Sequence, residues 1–521
     1  MAMQPIHRVW ATHPPNSLFA SHQPDKQWQQ EQEPNLQKLG SRLAAGLVIG
    51  TFTGVLASRR ASRNSFSRPW RKTWVRAQAE AVEVLTTAKI KDAETLPPEE
   101  PQDEHQLIVF LVAAAYVIWQ MDKVNMSIAI LPMAADFSWD SSEQGIIQSS
   151  IFWGYAATQV IGGLLATRFG GKRVLLFAVA LWSLATMLAP NAATVSTEVF
   201  IASRVLVGIG EGLAPAAGLR MVATWVPEAE RSRAVATLGA GKTGGSIAGL
   251  LLAPVVIGAF GWQAMFYSFG VLGLFWAAVW WVKGQDREGS VGASGDQDIP
   301  WFPILSTPPL WGVVVAHFCH DFGGYALLTW TPTYLNKAMG YDLTGSSELT
   351  VIPSVCAVAV AAMAGTAADH LHANGMSLTT VRKIFQSLGF FIPCLMLGLL
   401  ANMSDVEPGS VMPIILLTVG IASGACSYAG LYSSHADLSA KYSGIVNGVS
   451  TTFGALAGVC SNAYVGYALK ATDSNWALAL FLPSIGLYLV GWLVYLVLYD
   501  ATPIDWDKET NSTGDATVES T

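Results

Sequence analysis

The chain has 521 residues, 51% of them hydrophobic and 13% charged, with a mean hydropathy of +0.38. Ordinary soluble domains carry roughly 25% charged residues, so this chain has too little polar surface to face water all round and reads as an integral membrane protein. The net charge of −7 lies mainly in loops and tails and argues against a nucleic-acid surface; the five cysteines show neither metal spacing nor a disulfide framework and read as small core residues.

Residues 1–106 form an extension unlike the rest. From Pro34 to Ala79 there is no Asp or Glu, while Lys38, Arg42, Arg59, Arg60, Arg63, Arg68, Arg71, Lys72 and Arg76 punctuate a Ser-containing stretch. This composition fits an organellar presequence, with a disordered basic tail as the plainer alternative. The apolar piece "LAAGLVIGTFTGVLA" from Leu43 is short for a span and suits either the hydrophobic part of a two-stage targeting signal or an interfacial helix.

A helix crossing a hydrocarbon core needs about 20 mostly apolar residues. Twelve such runs follow, near 107–133, 145–167, 173–190, 198–224, 234–258, 262–283, 310–336, 346–369, 381–402, 410–432, 443–469 and 475–499. The layout is six spans (107–284), a polar central loop (285–309), six more spans (310–500) and an unstructured tail (501–521). Arg168, Lys172, Arg173, Arg220, Arg231, Arg233, Lys283, Arg287, Arg382, Lys383 and Lys441 border the even-numbered loops, whereas Lys337 and Lys470 stand alone in the odd ones. By the positive-inside rule, both termini and the central loop share the side from which the chain inserts. "GLLATRFGGKR" from Gly163 and "GTAADHLHANG" from Gly365 are matching pieces that close the second span of each half. Gly163, Arg168, Gly171, Lys172 and Asp369 within them are gating candidates of a repeat-built transporter.

Ionisable groups inside spans cost at least roughly 2.5 kcal/mol each and mark pathways or partners. The first span carries Asp122 and Lys123 near mid-depth, with Asn125 three residues on. In the fourth, Arg204 and Glu211 are seven residues apart, about two helical turns, and so face one side. Gly208, Gly210 and Gly212 between them let another helix approach closely. The fifth span adds Lys242, and the seventh a stripe of His317, His320 and Asp321. Each has a plainer reading: buried ion pairs locking helices, or neutral packing histidines. "GAGKTGG" at Lys242 is no phosphate loop, because Ala236 stands where the motif needs glycine and no strand precedes it.

The segments "MDKVNMSIAIL", "SSIFWGYAATQVIGGLLATRFGGKRVL", "RVLVGIGEGLAPA", "PEAERSRAV", "GWQAMFYSFGVLG" and "HFCHDFGGYALLTWTPTYL" carry a resemblance over Leu107 to Tyr499. They are similar to the anion/cation symporter family of the major facilitator superfamily, the group of plant plastid phosphate transporters, vesicular glutamate transporters and the lysosomal sialic acid transporter. The plastid phosphate transporters are most similar at "MDKVNMSIAIL", "LLTWTPTYL" and "HADLSAKYSG". The resemblance implies an all-α membrane protein of major facilitator fold, monomeric, with twelve helices in two six-helix bundles. It implies anion contacts at Lys123 (usually arginine), Arg204, His320 and Tyr325, and a coupling carboxylate at Glu211 helped by Asp122. Lys242, His317 and Asn125 are accessory. Lysine lacks arginine's bidentate fork, and His320 replaces the arginine of glutamate carriers. Thr167 stands where the superfamily has Asp. In "SSHADLSAKYSG", Ser434 and Ala440 replace Asn and Pro, while Asp437 is kept.

The expected function is cation-coupled (H+ or Na+) transport of a small anion, inorganic phosphate first, across a plastid envelope or thylakoid membrane by alternating access, with no resident cofactor or metal. A larger organic acid such as ascorbate or a carboxylate would want apolar lining, to which Trp153, Tyr155, Phe322 and Tyr325 contribute. A membrane enzyme would have only the His317, His320 and Asp321 stripe to work with, and a sensor would want a folded signalling domain that neither tail offers.

Overall fold

In lipid every backbone polar group must be satisfied within its own segment, so the apolar runs have one outcome, the α-helix. The computed structural model describes residues 102–227, 230–287, 299–403, 410–439 and 441–507. The presequence reading and most of the 501–521 tail lie outside them. The first six long helices are α1 (Gln102–Phe137), α2 (Ser141–Phe169), α3 (Gly171–Val195), α4 (Thr197–Trp225), α5 (Arg231–Phe260) and α6 (Trp262–Lys283). A short helix α7 (Trp301–Ser306) lies in the predicted central loop. Then come α8 (Pro308–Lys337), α9 (Leu343–Ala373), α10 (Leu378–Ala401), α11 (Met412–Gly424), α12 (Leu431–Leu438), α13 (Ser443–Ala471) and α14 (Leu482–Leu498).

Polar residues at the turns stop and start these helices. Asp140 caps α2 in a reciprocal box, its Oδ1 accepting the Glu143 N–H at 2.9 Å while Glu143 Oε2 accepts the Asp140 N–H at 2.8 Å. Ser196, Asp342 and Ser377 cap α4, α9 and α10 more simply, each side-chain oxygen accepting one backbone N–H, from Val199, Gly345 and Thr380. The tenth predicted run is two helices, because the chain passes through a 3₁₀ turn at Ala425–Tyr428 between Gly424 and Gly430. Among the described residues, ten helical stretches are long and apolar enough to cross a membrane. The two remaining long helices, α2 and α8, are more polar, and they bury Gln144, Gln148, Thr158 and Gln159, and His317 and Thr331, respectively. A helix that would be too polar in lipid is tolerated where neighbours enclose it, and these two sit at the centre.

Within the first half α4 packs on α2 and α3, α1 on α5, and α3 on α6; within the second α8 packs on α13 and α14, and α10 on α11. The glycines of α4 permit its close packing: Gly208 and Gly212 lie against the α2 backbone, and a Cβ on Gly210 would sit 2.8 Å from the Ala178 carbonyl of α3. Between halves, α2 meets α13 and α5 meets α9, the second helix of each half against the fifth of the other, with α1 beside α8.

Contacts between halves gather on the face away from the N-terminal end of α1. Lys470 Nζ donates to Asp140 Oδ2 at 2.6 Å, Gly145 of α2 abuts Gly466 of α13, and the Ser347 hydroxyl donates to the Leu250 carbonyl. Toward the opposite, near face, Gly239 and Gly244 of α5 and Gly444 and Gly448 of α13 face open space. The bundle is therefore shut on the far side.

Two sequence expectations differ here. Residues 501–507 are not a free tail: Trp506 is fully buried with its Nε1–H on Thr307 Oγ1 at 2.8 Å, and the Ile504 N–H bonds the Leu438 carbonyl. Burial of the indole together with these hydrogen bonds holds the segment on the second half. Of the cysteines expected in the core, Cys319 and Cys426 are buried but Cys460 is exposed.

Candidate functional site

Successive helical residues point about 100° apart, so Asp122 and Lys123 cannot share a partner. Asp122 turns into its own half. Its Oδ1 accepts from Asn125 Nδ2 at 2.7 Å and its Oδ2 from the Thr186 hydroxyl of α3 at 2.8 Å. Lys123 turns to the centre, where its Nζ lies 3.9 Å from the Tyr155 ring centroid, 5.2 Å from Phe152, 5.2 Å from Tyr325 and 5.5 Å from Trp119. Three rings come from the first half and one, Tyr325, from the second. Ring faces stabilise a desolvated ammonium by about 2 kcal/mol, well short of a full counter-charge.

Arg204 is 1% exposed, and none of its Nε, Nη1 and Nη2 has a hydrogen-bond partner. Leaving one buried donor unmade costs roughly 1–3 kcal/mol, and more for a charged group. The carboxylates of Asp122 and Glu211 interact with it through space without a bond to it. Arg204 and Lys123 both line a cavity of about 20 Å³, with Ser127, Gln148, Phe152 and Thr329. That volume admits a water molecule and no polyatomic anion, so loading requires the helices to part. Gln148 adds an amide whose two polar atoms are both buried and unpartnered. Sequence reading missed Gln148; its only signal was a polar residue mid-run on α2.

Glu211 is fully buried one layer toward the near face. Trp119 Nε1–H donates to its Oε2 at 3.1 Å, and Oε1 has no partner. Lys242, exposed on α5, places its Nζ 5.8 Å from the same indole. Trp119 thus ties Glu211, Lys123 and Lys242 into one group, a role the sequence did not signal.

The second half presents a different centre. His317, buried on α8, pairs its Nδ1 with Ser450 Oγ at 2.6 Å and its Nε2 with Asp321 Oδ2 at 3.3 Å. His320 sits between Asp321 Oδ1 and the Gly424 carbonyl, 3.3 Å from each, and the Tyr432 hydroxyl donates to Asp321 Oδ1 at 3.1 Å. His320 is therefore held inside its own half rather than beside Arg204.

Of the gating candidates, Gly171 packs tightly on Met221 of α4, and the Lys172 N–H donates to Asp286 Oδ1 at 2.9 Å, which ties the start of α3 to the segment after α6. Gly163 faces open space, and Arg168 and Asp369 are exposed at near-face ends of α2 and α9. None of these reaches the centre. On the same face of the second half, Arg382 grips Asp437 with two bonds of 2.7 and 3.2 Å. Of the lining aromatics, Tyr155 and Tyr325 join the cage, Phe322 packs toward Tyr464, and Trp153 is exposed.

Residues 108–462 match the family model described as Major Facilitator Superfamily. The chain belongs to the major facilitator superfamily. Relatives are plant proteins. A probable anion transporter 1, chloroplastic, of Oryza sativa subsp. japonica is 41% identical over 74% of this chain and 75% of its own length. From Arabidopsis thaliana, a sodium-dependent phosphate transport protein 1, chloroplastic, is 39% identical over 77% of this chain and 80% of its own, and an ascorbate transporter, chloroplastic, is 38% identical over 80% and 79%. The fold matches a bacterial homologue of the human lysosomal transporter Spinster in an inward-facing, occupied crystal form, with TM-score 0.63 at 13% identity over 77% of this chain and 97% of that one. A D-xylose–proton symporter gives 0.58 at 15% identity over 76% and 97%. Major facilitator halves are related repeats. The reciprocal contacts of α2 with α13 and α5 with α9 are the geometry that such a repeat produces.

Proposed function

We propose that this major facilitator protein is a secondary transporter of a small anion, inorganic phosphate first, in a plastid membrane, driven by a co-transported cation. One observation carries the reading: Arg204 is buried at the inter-half cavity with all three guanidinium nitrogens unpartnered. A phosphate oxygen supplies the acceptor that the protein withholds, and a planar guanidinium suits it. The names of the plant relatives agree with an anion and with a plastid.

In the mechanism, the anion bonds Arg204 and draws Lys123 from its rings, with Gln148 donating an amide hydrogen. Glu211, whose Oε1 lacks a partner, takes a proton or helps hold a sodium ion near the same charge cluster; Asp122, fixed by Thr186 and Asn125, keeps a negative field behind Arg204. With both ligands bound the centre is nearly neutral, and the halves rock around it at least cost. The protein acts as a monomer whose apolar faces contact lipid.

The cage around Lys123 supports a second reading, an organic acid such as ascorbate, because four rings would cover the apolar face of a larger anion. Counterflow of labelled phosphate in proteoliposomes, with imposed proton and sodium gradients tested separately and ascorbate and carboxylates as competitors, separates the two. Phosphate uptake that ascorbate does not inhibit supports the first reading; ascorbate uptake that phosphate does not inhibit replaces it by the second. Arg204→Ala should abolish uptake in protein that still inserts, and full transport by that variant would defeat the anion-site assignment.

A further inference from the structure

We propose that the His320–Asp321 pair on α8, held by His317 and Tyr432, is a second proton-loading site, distinct from Glu211 and filled together with the anion. This rests on the anion-transport reading above.

The hydrogen-bond inventory leads to it. His320 Nδ1 faces the Asp321 carboxylate and His320 Nε2 faces the Gly424 carbonyl, 3.3 Å in each case. Both partners are acceptors, whereas a neutral imidazole has one N–H to give. An additional proton satisfies everything: either an imidazolium donates to both, or a protonated Asp321 donates to Nδ1 while Nε2–H serves the carbonyl. His317 needs none, since its Nε2–H serves Asp321 Oδ2 and its Nδ1 accepts the Ser450 hydroxyl.

The charge around the pair sets its response. On α8 it faces His317 and Tyr325. From the turn at Ala425–Tyr428 and from α12 it meets Tyr428, Tyr432 and His435; from α14, Tyr488; and from the first half, Lys123 and Tyr155. Lys123 is the one fixed cation in that set, and it interacts through space with Asp321, one helical turn from the Tyr325 ring that covers it. Without the additional proton the pair carries a negative charge on the very side an anion at Lys123 must approach. With it the pair is neutral. Anion and proton therefore favour each other's binding, and linkage makes the effect equal in both directions. The anion is held by the first half and the proton by the second, so full loading discharges both surfaces that meet when the carrier closes.

The test is exchange of labelled phosphate by the full-length protein in proteoliposomes, with KM measured from pH 5.5 to 8.0 for the wild type and Asp321→Asn. The ratio of the two cancels phosphate's own ionisation. At pH 8.0 the variant, neutral at this position, should show a KM about tenfold below the wild type, and the two should converge at pH 5.5. A protein merely damaged by the substitution would not bind more tightly. A ratio that stays flat with pH overturns the proposal. If Asp321→Asn does not insert, Tyr432→Phe removes one hydrogen bond given to the carboxylate and should move the KM profile to higher pH; an unmoved profile overturns the proposal equally. A wild type that exchanges no anion defeats the transport reading itself, whereas a transporting wild type with a flat ratio defeats the proton site alone.

Discussion

The centres of the two halves solve the problem of charge in a membrane in opposite ways. In the second half, His317, His320, Asp321, Tyr432 and Ser450 are linked to one another by contacts made within their own half. In the first, Arg204 has no hydrogen-bond partner and Lys123 is covered by ring faces, the carboxylates of Asp122, Glu211 and Asp321 acting on them only through space. A fold that so carefully satisfies Asp122, with Asn125 on one oxygen and Thr186 on the other, has means to pair Arg204 and does not. The difference teaches that the unmet valence belongs to the site: the second half is a closed network that only a proton completes, and the first an incomplete shell that the anion completes.

Substitutions that remove charge from the incomplete shell should cost the most. Glu211→Gln should abolish cation-driven net uptake, a loss of about 100-fold or more, while labelled exchange persists; an unchanged response to proton and sodium gradients would remove its coupling role. Lys123→Met keeps the stem among the rings and removes only the charge, so KM for phosphate exchange should rise about tenfold with little loss of inserted protein. A wild-type KM would sharpen the comparison by leaving Arg204 as the sole cationic contact for the anion.

In the second-half network, a substitution that leaves the His320–Asp321 pair intact should show in stability rather than transport. Ser450→Ala takes one partner from His317, which costs about 1 kcal/mol and lowers the thermal midpoint by a few degrees, with KM within about twofold at pH 6. A tenfold KM change there would break the contrast.

The smallest effect belongs to the far-side latch. Asp140's carboxyl is held below the usual carboxylate range by the hydrogen bond from Lys470, with the Glu143 N–H adding to it. A depressed carboxylate keeps its contribution above its ordinary range and loses it as pH falls through the lowered value, so between pH 5 and 8 this pair does not titrate. Lys470→Ala should thus change uptake by less than about threefold, with an unaltered pH profile in flux assays.

Much of this was legible in the sequence because helical spacing is short-range arithmetic. Arg204 and Glu211, seven apart, do lie on the buried side of α4, and Gly208, Gly210 and Gly212 do admit α2 and α3. Partners were not legible. Thr186 lies 64 positions from Asp122 and Trp119 lies 92 from Glu211, and Lys470 reaches Asp140 across 330, so nothing local announces them. Adjacency also misled: Asp122 and Lys123 look like a pair in one dimension and face different helices in three. The buried Trp506 escaped notice because a single indole after an apolar run resembles an interfacial anchor.

The claim that an anion completes Arg204 is tested most directly without a membrane gradient, by calorimetric titration of phosphate into purified full-length protein. The wild type and Ser450→Ala should bind with similar affinity, and Arg204→Gln, equally folded, should bind at least about 100-fold more weakly. Wild-type affinity in Arg204→Gln would contradict the account.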